Sequence, residues 1–329
     1  IENDEPQQEV DAVALEETSV ALWLLRSDLT TPTLDDILQF AETKDFPTAQ
    51  KKILEMLKEA GKSDEVYESI EKPLIPVVRR MNVDGIRVDT KYLGELSKEY
   101  SAELAAIAAR IFAHAGHEFN INSPKQLGEV LYDELKITPL KQKKTATGAR
   151  TTREEELTKM ADMHPIIGDI LSYRELQKLL STYIDKIPAL VASDGRLHAD
   201  FLQTGTVTGR MGCQNPNLQN IPIRTDYGKR IRNAFVADDG YVLAAIDYSQ
   251  IELRIAAGLS GDEKLVSVFT EGRDVHTEVA SQVFGVPGDM VDREMRRRAK
   301  IINFGILYGM GVNALRANLG EGVSRDDAS

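Results

Sequence analysis

Val242-Leu243-Ala244-Ala245-Ile246-Asp247-Tyr248-Ser249-Gln250-Ile251-Glu252-Leu253-Arg254-Ile255 decides how the rest of the chain is read. From Tyr241 to Ile246 the residues are almost continuously apolar, the pattern of a strand buried on both faces. Ser249 to Ile255 then has helical patterning, so Asp247 falls at a strand-to-helix turn. A carboxylate leaving a buried strand there faces the mouth of a sheet, where a hard cation such as Mg²⁺ binds carboxylate and backbone oxygens. An Asp that merely caps the following helix is the equal alternative.

Downstream, Arg293-Glu294-Met295-Arg296-Arg297-Arg298-Ala299-Lys300-Ile301-Ile302-Asn303-Phe304-Gly305-Ile306-Leu307-Tyr308-Gly309 predicts a helix. Arg296, Lys300, Phe304 and Tyr308 are each four apart and form one stripe, drifting by only ~40° per step. Two cations lead and two aromatics follow, the chemical order of a nucleoside triphosphate lying along a helix. A solvated basic face with core aromatics fits the same spacing. Gly309 to Ala314 matches a dinucleotide-binding pattern by letter but follows a helix, so its required context is missing. His276 stands alone in Asp274-Val275-His276-Thr277-Glu278, and a lone His is more often structural than a ligand.

Upstream, Thr204 to Pro222 is dense in Gly, Thr, Asn and Gln around Arg210, which predicts an irregular segment suited to sugar and groove contacts. Gly195 to His198 reads as a strand and Ile166 to Ile187 as a helix. The run Lys141 to Thr152 has no acid and no apolar period, and reads as an exposed basic loop. Pro124 to Leu135 predicts a helix with Asn122-Ser123 supplying its N-cap. From Thr90 to about His114, Leu93, Leu96, Tyr100, Leu104, Ile107 and Ile111 recur at helical spacing. Ile86 to Asp89 reads as a short strand, entered by a turn at Asp84-Gly85 from a helix through Leu74, Val77, Val78 and Met81. The opening segment predicts small helices.

The 329 residues carry 42% hydrophobic and 28% charged residues, which excludes disorder as the main state and allows two or three domains. No stretch approaches the ~18 apolar residues of a membrane span. The single Cys213 excludes an intramolecular disulfide and a thiolate-cluster zinc site, and points to a reducing cytoplasm. Ile1 is not Met, which suggests a fragment or processed product. The net charge is −12, but residues 1–72 hold 18 Asp+Glu against 7 Lys+Arg, leaving 34 against 33 for the remainder. A polyanionic partner is therefore compatible with residues 73–329.

Asp247 to Arg254 resembles motif A of the family A DNA polymerases, and Arg296 to Gly309 resembles their motif B. Thr208-Gly209-Arg210, Pro216 to Pro222 and Ser181 to Asp185 resemble the same family in order and spacing, over roughly residues 68–329. The resemblance implies an α+β, multidomain right-hand fold with an α/β palm, a helical thumb and partial helical fingers. Residues 73–95 and 191–260 would be palm, 96–190 thumb with a tip near Lys143, and 261–329 fingers. Residues 1–72 weakly resemble part of a 3′-5′ exonuclease domain, with Glu17 where proofreading members have Asp, and so imply a non-proofreading helical remnant.

By the same resemblance Asp247 and the Tyr248 backbone bind Mg²⁺, two ions being expected in a complete enzyme. Arg296 and Lys300 hold the triphosphate of a dNTP, with Lys300 also a candidate acid for pyrophosphate. His276 contacts phosphate, Phe304 and Tyr308 pack around sugar and nascent base pair, and Glu252 disfavours a 2′-hydroxyl. Phe304 in place of Tyr implies discrimination against dideoxynucleotides. Lys178, Arg210, Asn217 and Asn220 match contacts to primer-template DNA. The implied setting is the cytoplasm, on the nucleoid, with no membrane partner. The family's motif C, a His-Asp-Glu sequence with the second metal-binding carboxylate, does not occur in these residues. The expectation is an enzyme completed by a further C-terminal segment or a partner chain, and inactive without it. Two alternatives stay open: a single-subunit RNA polymerase, against which Glu252 and the thumb match argue, and a primer-template-binding remnant that has lost catalysis.

Overall fold

A computed structural model describes residues 10–137, 150–223 and 225–319. The predicted basic loop lies outside the described residues from Lys141 to Ala149, Lys143 included. Contacts divide the chain into two units, Ile1–Leu243 and Ala244–Ser329.

The first unit opens with α1 (Ala12–Leu25), α2 (Leu34–Ala41), α3 (Phe46–Glu59) and α4 (Lys62–Val66). Thr33 caps α2 in a reciprocal box with Asp36, which satisfies two otherwise orphaned N–H donors. These helices bury Leu22, Ile37, Ile53, Leu57 and Tyr67 in a core of their own. A single π turn at Tyr67–Glu71 leads into α5 (Lys72–Asp84), and β1 (Ile86–Val88) follows. Between them Gly85 has φ +57°, and a Cβ there would meet the Leu197 carbonyl oxygen at 2.7 Å. Only glycine passes this turn without displacing backbone.

Asp89 ends the strand and caps α6 (Thr90–Ala115), accepting from the Tyr92 N–H at 2.9 Å. The predicted stripe is buried at Leu93, Leu96, Tyr100, Ile107 and Ile111, with Leu104 packed partly against it. Then come α7 (Pro124–Glu129), α8 (Glu154–Thr158), α9 (Pro165–Leu179) and α10 (Ile187–Leu190). Ser123 caps α7 as expected, but the helix passes into a π turn at Val130–Glu134. The single helix expected over Ile166 to Ile187 is also interrupted, by a π turn at Leu180–Ile184. Periodicity does not register that change, because Leu179, Leu180, Tyr183, Ile184 and Ile187 all stay buried through it.

β2 (Arg196–Leu197), β3 (Asp200–Leu202), β4 (Gly212–Gln214), α11 (Asp226–Arg232) and β5 (Phe235–Val236) complete the unit. β1 lies between β2 and β5, antiparallel to both, with Ile86 opposite Leu197 and Val88 opposite Phe235. The region expected to be irregular is partly regular, since β4 pairs with β3 and Leu218–Asn220 forms a 3₁₀ turn. Alternation is unreadable there because Gly212, Cys213 and Gln214 have no apolar period, and the pairing with Asp200–Leu202 makes the strand.

The second unit contains α12 (Ile251–Ser260), α13 (Glu263–Thr270), α14 (Val275–Phe284), α15 (Arg293–Leu307) and α16 (Val312–Leu319). Leu253, Val268 and Val275 form its small core, with Phe269, Val279 and Leu307 against it. The strand expected over Tyr241–Ile246 is absent: these residues belong to no strand or helix, and Val242 and Ile246 are 86% and 95% exposed. A strand needs a ladder, and among the described residues no other strand pairs with this run. Asp247 therefore does not leave a buried strand, and it is exposed.

Candidate nucleotide site

α15 is specified at both ends. The Asp292 carboxylate accepts from the Met295 N–H at 2.7 Å and Glu294 sits in the first turn, favourable places for acids at a helix N-terminus. At the other end the Met310 N–H donates to the Gly305 carbonyl at 2.7 Å, beyond a left-handed Gly309, closing a Schellman-type turn. The helix packs on α14.

The stripe is present on α15. Phe304 and Tyr308 stack with ring centroids 6.0 Å apart and planes 12° from parallel. Lys300 Nζ lies 5.9 Å from the Phe304 ring, within the reach of a cation–π contact. Tyr308 Oη donates to Glu252 Oε1 at 3.5 Å, joining α15 to α12. His276, the first helical turn of α14, is 2% exposed with its ring 5.8 Å from Phe304. The side-chain amide of Asn303 donates to His276 Nδ1 at 2.9 Å. Six of the predicted residues, Glu252, His276, Arg296, Lys300, Phe304 and Tyr308, thus gather in one unit.

Three arginines of α15 divide by partner. Arg297 and Arg298 both bond Glu294 on their own helix, holding that carboxyl down to about 2. Arg296 instead bonds Asp274, through Nε at 3.1 Å and Nη2 at 2.7 Å. Burial raises the Asp274 carboxyl, but the bonds from Arg296 and Thr277 outweigh it and hold it well below the usual carboxylate range. For His276 burial pushes the imidazole down, the neighbouring Arg296 and Lys300 add to that, and Asp274 opposes them. Asp274, Asn303 and Gln250 were not legible as site residues. Asp274 carries the spacing of an N-cap before Thr277, but nothing in the sequence places α14 against α15.

Asp247 and Tyr248 are exposed just before α12, whose N-cap is Gln250, so Asp247 is not that helix's cap. They offer one carboxylate and one peptide carbonyl, hard oxygen donors of the kind Mg²⁺ accepts in part from protein and in part from substrate phosphates and water. Among the described residues no three His, Cys, Asp or Glu side chains converge as a metal cluster. The residues present therefore fit a share of a Mg²⁺ site.

In the first unit, Arg210, Asn217 and Asn220 are exposed along one segment. Asn217 accepts from the Gln219 N–H at 3.0 Å, and Gln219 Nε2 donates to the Met211 carbonyl at 3.1 Å, tying the 3₁₀ turn to the residue after Arg210. Thr206 is anchored from the other side by Trp23 Nε1 at 3.0 Å. Lys178 is exposed in the last turn of α9. No helix among the described residues is long and apolar enough to cross a membrane.

The fold is mostly helical α+β, and a family model for DNA polymerase family A matches residues 90–329. The chain belongs to the family A DNA polymerases. It is 52% identical over 274 residues to the thermostable DNA polymerase I of Thermus thermophilus, a match covering 82% of this chain and 33% of that protein. DNA polymerase I of Deinococcus radiodurans is 48% identical over 256 residues, covering 78% and 27%. The chain thus spans about a third of the length of these curated relatives. Among solved structures, the POL domain of Pol1 from M. smegmatis, in complex with DNA primer-template and dNTP, superposes with a TM-score of 0.83 at 36% identity, covering 94% of this chain and 56% of that one.

Proposed function

We propose that this chain is part of a template-directed DNA polymerase that adds dNMP to a primer 3′-hydroxyl by two-metal phosphoryl transfer. The observation that carries the reading is the joined cluster of Arg296, Lys300, Phe304, Tyr308, His276 and Glu252, which orders cations, rings and a carboxylate as the parts of a dNTP are ordered. Arg296 and Lys300 hold the triphosphate, and His276 donates to it. Lys300 is also placed to give a proton to the leaving pyrophosphate. Phe304 and Tyr308 carry sugar and base, while Glu252, fixed by Tyr308, crowds a 2′-hydroxyl.

Asp247 and the Tyr248 carbonyl would hold Mg²⁺, which when bound lowers the barrier to attack by the 3′-hydroxyl and stabilises leaving charge. Lys178, Arg210, Asn217 and Asn220 are assigned to primer-template DNA. Palm is assigned to residues 73–95 and 191–260, thumb to 96–190, fingers to 261–329, and an exonuclease-like remnant to 1–72. The exposed apolar run Tyr241–Ile246 supports completion of the palm by a further C-terminal segment or partner chain. That no metal-ligating side chains converge with Asp247 among the described residues favours a second reading, a primer-template-binding remnant without catalysis.

Primer extension by this chain joined to the C-terminal part of the Thermus thermophilus relative separates the two. The expected result is Mg²⁺-dependent addition of dNMP in preference to rNMP, lost in Asp247→Ala, with no extension by the chain alone. Tight primer-template binding without extension would leave the remnant reading.

A further inference from the structure

Asp274 accepts five hydrogen bonds from three separate elements. Its Oδ1 takes the Thr277 N–H at 2.8 Å, the Thr277 hydroxyl at 2.9 Å and Arg296 Nε at 3.1 Å. Its Oδ2 takes Arg296 Nη2 at 2.7 Å and Gln250 Nε2 at 2.9 Å. An N-cap needs one oxygen, and Oδ1 already serves the Thr277 N–H. Oδ2 is spent wholly on side chains from the Gln250 turn and α15.

Gln250 is itself constrained. Its backbone is left-handed at φ 54° and ψ 42°, a region costly for a residue with a Cβ, and no side-chain bond caps the helix it precedes. Its Oε1 is buried and has no partner among the described residues, so the amide is held from its Nε2 end. Arg296 is bound through two of its five N–H groups, which leaves three directed away from Asp274. A guanidinium already fixed in one orientation loses less freedom on meeting a phosphate than a free one does.

We propose that Asp274 is a positioning residue: it fixes Arg296 for the triphosphate and, through Gln250, ties the turn following Asp247 to the same hub. This rests on the nucleotide reading of α15. A carboxylate facing a triphosphate directly would repel it, so Asp274 acts through Arg296. The opposite role, a carboxylate that occupies Arg296 and must be displaced, predicts a gain of affinity when Asp274 is removed.

The test is the affinity of the full chain for dGTP in the wild type, Asp274→Ser, Arg296→Ala and the double variant. Serine keeps the α14 cap and lacks the second oxygen. Both single variants are expected to lose roughly tenfold or more, as for a charge-assisted bond, and the double variant no more than Arg296→Ala alone. Thr277→Val removes a bond to Oδ1 without touching Arg296, and keeps wild-type affinity. If Asp274→Ser fails to fold, Asp274→Asn replaces it. Unchanged or tighter binding in the Asp274 variant, or losses that multiply in the double variant, overturns the proposal while the nucleotide reading stands. If Arg296→Ala binds dGTP as the wild type does, the nucleotide reading falls and the proposal with it.

Discussion

Asn303 holds His276 by its Nδ1, at 2.9 Å across the α14–α15 contact. With the amide donating, Nδ1 is bare and the ring proton sits on Nε2. Under the proposed function, a buried imidazole in that state would give a phosphate a hydrogen bond without carrying charge. We predict the Nε2–H tautomer by ¹⁵N NMR of the imidazole, and a titration midpoint below the ordinary ~6.5. Between that midpoint and ~6.5 the unfolded chain binds more protons than the folded one, so the stabilisation is lost as pH falls through this window. An Nδ1–H signal, or a midpoint above 6.5, contradicts the arrangement.

His117 and His198 run the other way. The Glu134 carboxylate raises His117, and the Asn82 carbonyl, then Asp194, raise His198. Each contributes stability below ~6.5 that is lost as pH rises through its raised value. In the same NMR titration both should hold their protons to higher pH than His276. Equal midpoints for the three would remove the assigned partners.

Gly85→Ala should destabilise the first unit by about 2–3 kcal/mol or more, because it adds a Cβ to a left-handed residue and drives it against the Leu197 backbone. The midpoint of urea unfolding reports the loss. A change under about 0.5 kcal/mol would mean that the turn relaxes freely.

Amide exchange at Val242–Ile246 should be fast in this chain, since among the described residues no ladder protects those groups. Joining the C-terminal part of a relative should slow it strongly if the run is a palm strand. Exchange that stays fast in the joined, folded protein would leave the run a linker.

What the sequence made legible depended on where the physics was local. The α6 stripe from Leu93 to Ile111, the cap at Ser123 and the α15 stripe follow from spacing within a few turns, whereas the caps at Thr33 and Asp89 emerged only in the structure. Tyr241–Ile246 did not, because apolar content says that a segment wants burial and leaves open which strand pairs with it. The π turns at Val130–Glu134 and Leu180–Ile184 keep the same residues buried, so they alter no pattern. In the site, the four-residue steps exposed Arg296, Lys300, Phe304 and Tyr308. The bonds from Arg296 to Asp274 and from Asn303 to His276 span 22 and 27 residues and exist only once α14 meets α15.

Whether the α15 stripe takes a nucleoside triphosphate is tested by photo-labelling of the chain with an azido-dATP followed by peptide mapping. Labelled residues are expected within Lys300–Tyr308, protected by excess unlabelled dATP and diminished in Arg296→Ala. Protectable labelling elsewhere in the chain, with α15 unmarked, would contradict it.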